Sequence, residues 1–201
     1  MQNKPLFITG IGTGIGKTIV AAILTESLNA DYWKPIQSGD LDNSDTKKVK
    51  SLITNSKTVL HPESYRLTQP YSPHKSAAID GIRIDPEQII LPETSNKLVI
   101  EGAGGLMVPL NDNFLMVDLI PQLNAEVILV VQHYLGSINH TLLSLEVLRG
   151  RKIPVKAIIF NGDKDEYSEK AISNYIKCKT LSIPKIDKVN KESIAAQKIE
   201  L

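Results

Sequence analysis

Four glycines at alternate positions, Gly10, Gly12, Gly14 and Gly16, lead directly into Lys17-Thr18 within FITGIGTGIGKTIVAAILTESLN (7–29). An apolar run precedes them and an amphipathic one follows, so the chain must leave a buried strand, bend tightly and enter a helix. LFITG (6–10) has the length and flanks of a buried strand, and Ile19, Val20, Ile23, Leu24 and Leu28 recur at helical spacing. The dinucleotide fingerprint G-x-G-x-x-G does not fit, because its third glycine would fall on Ile15 or on Lys17. The phosphate loop G-x-x-x-x-G-K-[ST] fits at its working end, Gly16-Lys17-Thr18, but counted from Gly10 the loop is one residue longer. Glycines in such a turn let successive backbone N–H groups face phosphate oxygens, and the helix N-terminus adds partial positive charge. Lys17 would bridge the β- and γ-phosphates, and the Thr18 hydroxyl would hold Mg2+.

The rest of the chain repeats the strand–helix alternation. DYWKPI (31–36), KLVIEG (97–102), EVILVVQ (126–132) and VKAIIFNG (155–162) read as further strands, and SINHTLLSLEVLRG (137–150) as a helix opening on a Ser cap and closing on Gly150. Continuous Val/Ile/Leu runs indicate strands buried on both faces. The expected fold is therefore α/β: one doubly wound, mostly parallel sheet flanked by helices, of the P-loop NTPase type, in a single domain spanning 1–201. Residues 37–96 are polar and proline-punctuated, with short helical signals such as DTKKVKSLI, and read as excursions over the strand ends where open α/β sheets bind ligands.

Composition excludes several classes. A formal net charge of +1 over 201 residues gives no field to attract nucleic acid or an acidic membrane surface. Lys47, Lys48 and Lys50 read as a solvated helix face. Apolar runs such as VILVV (127–131) fall far short of the ~18 residues of a spanning helix. The N-terminus shows no basic segment followed by a long apolar stretch, and the single Cys178 can form no internal disulfide, so a cytoplasmic location is expected.

Strand ends supply the other candidates. Glu101 follows Leu98-Val99-Ile100 and precedes a glycine-rich turn; an ionised carboxylate there needs a cation or donors, which suits a metal partner. Lys34, at the end of the second strand before Pro35, is either a surface lysine or the charge that neutralises a transferring phosphoryl group. Asp45 is either the N-cap of a helix or a second Mg2+ carboxylate, with Asp40 and Asp42 competing for that role. His61, His74, His133 and His140 lack ligand spacing. Asn161 ends the fifth strand, where an amide can read a base edge.

Together these residues resemble the dethiobiotin synthetase family. Its elongated phosphate loop G-x-x-x-x-x-G-K-T is met by Gly10 and Gly16-Lys17-Thr18, its K-P-x-x-S-G by Lys34 to Gly39, and its E-G-A-G-G by Glu101 to Gly105, followed by Pro109-Leu110. SPH (72–74) and LGSINH (135–140) also resemble family segments, in family order, so the likeness runs from about residue 6 to about 162; the last forty residues are shorter and less recognisable. The resemblance implies an ATP- and Mg2+-dependent cyclo-ligase that joins CO2 to 7,8-diaminopelargonate. ATP would meet Thr13, Gly14, Ile15, Gly16, Lys17, Thr18 and Ile19 of the loop and Gly102, Ala103 and Gly104 of the turn, with Asn161, Gly162, Ile183 and Pro184 around the adenine. Thr18, Asp45 and Glu101 would hold the metal, and Lys34 and Lys17 would be catalytic. Ser38 would contact substrate, and Gly136, Ser137, Ile138 and Asn139 would reach the substrate of the other subunit of a homodimer. Where the family often has a loop carboxylate this chain has Gly14, so that side-chain contact is absent. Partitioning or septum-positioning switch ATPases share the sheet but carry a second lysine near the loop start, and residues 10–16 contain none. Another amido-ligase on the same fold is the nearer alternative, and a NAD-dependent dehydrogenase a distant one.

Overall fold

Successive residues of β1 (Leu6–Gly10) point to opposite faces, and all five are buried. Leu6 and Ile8 pack with Val20, Ile23 and Leu24 of α1 (Lys17–Leu28), whereas Phe7 packs with Met116, Val117 and Leu119 of α4 (Met116–Gln122) and Leu145 of α5 (Ser137–Gly150). A strand that needs apolar residues on both faces cannot alternate, which is why the run reads as continuous. The computed structural model describes residues 4–201, so the expectation of a leaderless N-terminus rests partly on residues outside those described.

Seven strands form one sheet with every neighbour parallel. The order is β4 (Leu60–His61), β2 (Asp31–Trp33), β6 (Leu98–Gly105), β1, β7 (Glu126–Val131), β8 (Val155–Asn161) and β9 (Lys179–Ile183). This is the doubly wound α/β arrangement the sequence predicts. The chain leaves β1 into α1 on one face and leaves β6 toward α4 on the other, so the loops after these adjacent strands part and open a crevice at their carboxyl ends. Among the described residues no helix is long and apolar enough to cross a membrane.

Several elements differ from the expectation. DYWKPI is not one strand: β2 stops at Trp33, and Ile36–Ser38 forms β3, which pairs in a second, two-stranded sheet with β5 (Tyr65–Leu67). Pro35 has no N–H for a ladder and its carbonyl accepts instead from the Tyr65 amide at 3.0 Å, turning the chain between the two sheets. β6 runs three residues past the expected end at Gly102, through a register shift against β1 that pairs Gly10 with Gly105. β9, unanticipated, is an edge strand whose KTLSI is mostly exposed and carries no buried apolar run. α5 is capped by Gly136 at φ 104, not by a Ser side chain; Ser137 is its first helical residue and its carbonyl accepts from the Thr141 hydroxyl.

Candidate active site

The glycine loop closes on its own backbone. Lys17 Nζ donates to the Gly12 carbonyl at 2.8 Å, curling the loop over the start of α1. Gly16 caps α1 at φ 88 with no side-chain hydrogen bond, leaving the first N–H groups of the helix for an anion. Gly14 is also left-handed, at φ 77, with open space where a side chain would stand. Lys17 is buried, and that burial, followed by the Lys34 ammonium, lowers its pKa to about 8.

Beside the loop, three side chains converge on Glu101, which is only 1% exposed. Its Oε1 accepts from Thr18 Oγ1 at 2.9 Å and from Lys34 Nζ at 3.1 Å, and its Oε2 accepts from the Tyr32 hydroxyl at 2.8 Å. Lys34 Nζ also meets Asp45 Oδ2 at 2.8 Å, completing an ammonium shared by two carboxylates. Burial alone would lower the Lys34 pKa, but Glu101 and Asp45 outweigh it and raise the value. Burial opposes ionisation of Asp45 too, yet Lys34 prevails and lowers its pKa. Burial, then the Glu101 charge, pushes the Tyr32 phenol well above its usual value, so the hydroxyl remains a donor. Lys34 is therefore no surface lysine.

The competition among the acidic residues resolves by geometry. Ser44, not Asp45, caps α2 (Asp45–Leu52), accepting from the Lys47 amide. Asp45 is the first helical residue; Gln37 Oε1 accepts from its amide at 3.1 Å, and its carboxylate faces the cavity. Asp40 instead pairs with Lys48 at 2.9 Å, and neither Asp40 nor Asp42 lines the cavity. That cavity holds about 620 Å³ between the loop, β3, the Pro70–Pro73 segment ahead of α3 (Pro73–Ile79) and the end of β6. Thr13, Gly14, Gly16, Lys17, Thr18, Lys34, Ser38, Asp45, Glu101, Ala103 and Gly104 all line it. Ser38 Oγ is buried without a partner among the described residues, so a polar ligand group there would satisfy it.

A hard cation fits this cluster. The Thr18 hydroxyl and the Asp45 and Glu101 carboxylates are oxygen donors, and both carboxylates already lie within 3.1 Å of one ammonium nitrogen. Among the described residues no three His, Cys, Asp or Glu side chains gather as a metal cage. Two carboxylates and a hydroxyl match a Mg2+ that keeps water and phosphate in its remaining positions.

Other expected residues lie elsewhere. The Ile15 side chain is buried against Gly10, Ile19 packs on the core, and Gly102 sits where a Cβ would meet the Phe7 ring at 2.9 Å. The Ile15 and Ile19 side chains are structural and Gly102 has none, leaving only backbone for a nucleotide. Gly162 and Pro184 border a separate hollow of about 460 Å³, with Ile183 buried below and its carbonyl accepting from the Gly162 amide at 2.9 Å. Gly136 to Asn139 do not line the main cavity. They open α5 beside exposed Tyr134, Leu135, Leu143 and Met107, next to a hollow of about 410 Å³ that backs onto Gly10–Thr13. Tyr32, Gln37 and the Pro70–Pro73 wall were not anticipated. Gln37 and SPH lie inside family-like segments, but nothing in the DYW run marks which side chain turns toward Glu101.

A parallel sheet, a glycine loop ending in Lys-Thr at a helix start, and an acidic residue on the neighbouring strand define a P-loop nucleotide-binding protein. Solved structures with the same fold include a ParA family ATPase from Chlorobium tepidum TLS, with TM-score 0.60, 14% identity and 98% of each chain covered. The septum site-determining protein MinD from Pyrococcus horikoshii OT3, complexed with Mg-ADP, has TM-score 0.60 and 15% identity over 96% of this chain and 85% of that one. The family model described as AAA domain matches residues 4–193. The ATP-dependent dethiobiotin synthetase BioD of Christiangramia forsetii is 54% identical over 89% of this chain and 86% of its own length. Its counterpart from Cytophaga hutchinsonii is 48% identical over 98% and 97%, and that from Brucella ovis 46% over 96% and 92%. The chain belongs to the dethiobiotin synthetase family.

Proposed function

We propose that this chain, acting as a single domain, uses ATP and Mg2+ to close 7,8-diaminopelargonate and CO2 into dethiobiotin, a step of biotin biosynthesis. The observation that carries the reading is the buried Lys34 ammonium held between Asp45 and Glu101 in the cavity that also contains the phosphate loop. In this scheme one amine of the substrate adds to CO2 and loses a proton, giving a carbamate. A carbamate oxygen attacks the γ-phosphorus and ADP leaves; the second amine then attacks the carbamoyl carbon, releasing phosphate as the ureido ring closes. Nothing in the sequence of bonds asks for a nucleophilic side chain, so positioning and charge neutralisation carry the catalysis.

Lys17 and the N–H groups at the start of α1 bind the triphosphate. Lys34 faces the developing charge of the carbamate and the transferred phosphoryl group, and Ser38 Oγ donates to the substrate. Asp45, Glu101 and Thr18 would hold Mg2+, which when bound neutralises phosphate charge. Tyr32 keeps Glu101 oriented from behind. Asn161, Gly162 and Pro184 are assigned to the nucleotide side, and Gly136–Asn139 to the substrate of a second copy in a homodimer whose contact includes Leu135, Ile138 and Leu143. The location assigned is the cytoplasm.

ADP release by the purified protein tests this reading. It should require diaminopelargonate, bicarbonate and Mg2+ together; release that ignores the diamine would refute it.

A further inference from the structure

The resemblance gives Asn161 a base to read, yet the amide nitrogen of this residue is already committed. Asn161 Nδ2 donates to the Ile15 carbonyl at 3.0 Å, across 146 residues of sequence. Only the nitrogen of a side-chain amide can face a carbonyl this way, so the bond also fixes which way the amide lies. A second observation concerns the same place: a Cβ on Gly16 would stand 2.1 Å from Asn161 Nδ2. The amide is pressed against the loop backbone so closely that only glycine fits beneath it.

The Ile15 carbonyl and the Gly16 N–H belong to one planar trans peptide, so they point in opposite directions. Pulling the oxygen toward Asn161 turns the N–H away from it. Gly16 borders the main cavity on the side where the phosphates are read, and its φ of 88 leads straight into α1. Asn161 ends β8, two strands from β1 in the sheet, so the bond braces the loop against a rigid element that the loop itself does not touch in sequence.

We infer that Asn161 is a positioning residue for the phosphate loop: it holds the Ile15–Gly16 peptide so that its N–H, with those of Lys17 and Thr18, is aimed at the triphosphate. This deepens the nucleotide reading proposed above and rests on it. Its mark is a loss that base-free triphosphate shares, because the bond acts through the loop backbone that meets phosphate.

Calorimetric titration with Mg·ATP, Mg·CTP and base-free Mg·tripolyphosphate tests the assignment in wild type, Asn161→Ala and Asn161→Ser, with folding checked by thermal melts. The serine hydroxyl is too short to reach Ile15, so it serves where the alanine variant folds poorly. Tripolyphosphate should weaken about tenfold for one lost hydrogen bond that aims a phosphate donor, and ATP and CTP by at least as much. Unchanged tripolyphosphate affinity beside weakened ATP would overturn the inference and make Asn161 a base reader; wild-type affinity throughout would overturn it as well. A double-mutant cycle adds a second readout. Gly16→Ala should cost less tripolyphosphate affinity in the Asn161→Ala background than alone, because the contact at 2.1 Å is relieved. Strict additivity counts against the brace. A wild type that binds none of the three ligands would overturn the nucleotide reading itself, and this inference with it.

Discussion

Lys34→Gln removes the one ammonium that the buried Glu101 and the half-buried Asp45 carboxylates share and leaves a side chain of similar reach. In the native cluster Nζ lies 2.8 Å from Asp45 Oδ2 and 3.1 Å from Glu101 Oε1, and the residue is 4% exposed. Two consequences follow. The carboxylates lose their shared partner, so Asp45, whose carboxyl Lys34 holds below its usual range, takes up a proton more readily, and the cavity loses a positive charge. The larger effect is on the reaction, because a preorganised charge in a water-poor site is worth most where negative charge develops. Losing one such group costs on the order of 3 kcal/mol, roughly a hundredfold in kcat. An interaction made chiefly in the transition state lowers kcat more than it raises the KM for ATP. Arginine should not rescue it, since a planar fork cannot replace a compact ammonium between Asp45 and Glu101. Steady-state kinetics on both variants, with melts to confirm folding, provide the assay. A loss below about threefold in folded Lys34→Gln would refute the catalytic role.

Three further outcomes are expected. Lys17, with its pKa lowered to about 8 by burial and then by Lys34, loses its proton as pH rises through that value, so ATP affinity should hold below pH 8 and weaken above it. The decline approaches about tenfold per pH unit, and an affinity flat to pH 9 would contradict it; the same shift makes the free fold slightly more stable as pH climbs from about 8 toward the ordinary lysine range. Glu101→Gln should keep the fold and raise the Mg2+ concentration needed for half-maximal activity on the order of tenfold, measured by Mg2+ titration; an unchanged requirement would reduce Glu101 to a strand residue. Leu135→Asp, at a wholly exposed position, should turn a dimer into a monomer in sedimentation, whereas a wild type that sediments as a monomer removes the proposed contact.

The sheet was legible because its central strands are buried on both faces and the glycine loop announces the β1–α1 junction. The edge elements were not. β9 pairs through its backbone while exposing Lys179, Thr180 and Ser182, so no apolar pattern marks it, and β3 and β5 form only because Pro35 ends β2 and redirects three residues into a separate ladder. The site divides in the same way. Lys17, Thr18, Lys34 and Glu101 could be placed because each follows an apolar strand or begins a helix, positions that converge at the carboxyl edge of a parallel sheet. Tyr32 could not, since a tyrosine inside an apolar strand looks like core until its hydroxyl is seen 2.8 Å from Glu101 Oε2. The choice of Asp45 over Asp40 and Asp42 likewise needed the third dimension: Ser44 takes the cap, and Gln37 accepts the Asp45 amide, leaving its carboxylate for Lys34.

The most direct test of the proposed chemistry follows oxygen from bicarbonate. If a carbamate oxygen attacks the γ-phosphorus, turnover with diaminopelargonate, ATP and fully 18O-labelled bicarbonate, completed before the label exchanges with water, must transfer one labelled oxygen to each phosphate released. The ureido carbonyl of the product keeps another. Mass spectrometry of the phosphate should therefore show a single 18O per molecule, formed only when the diamine is present. Unlabelled phosphate, released at the same rate without diamine, would contradict the account.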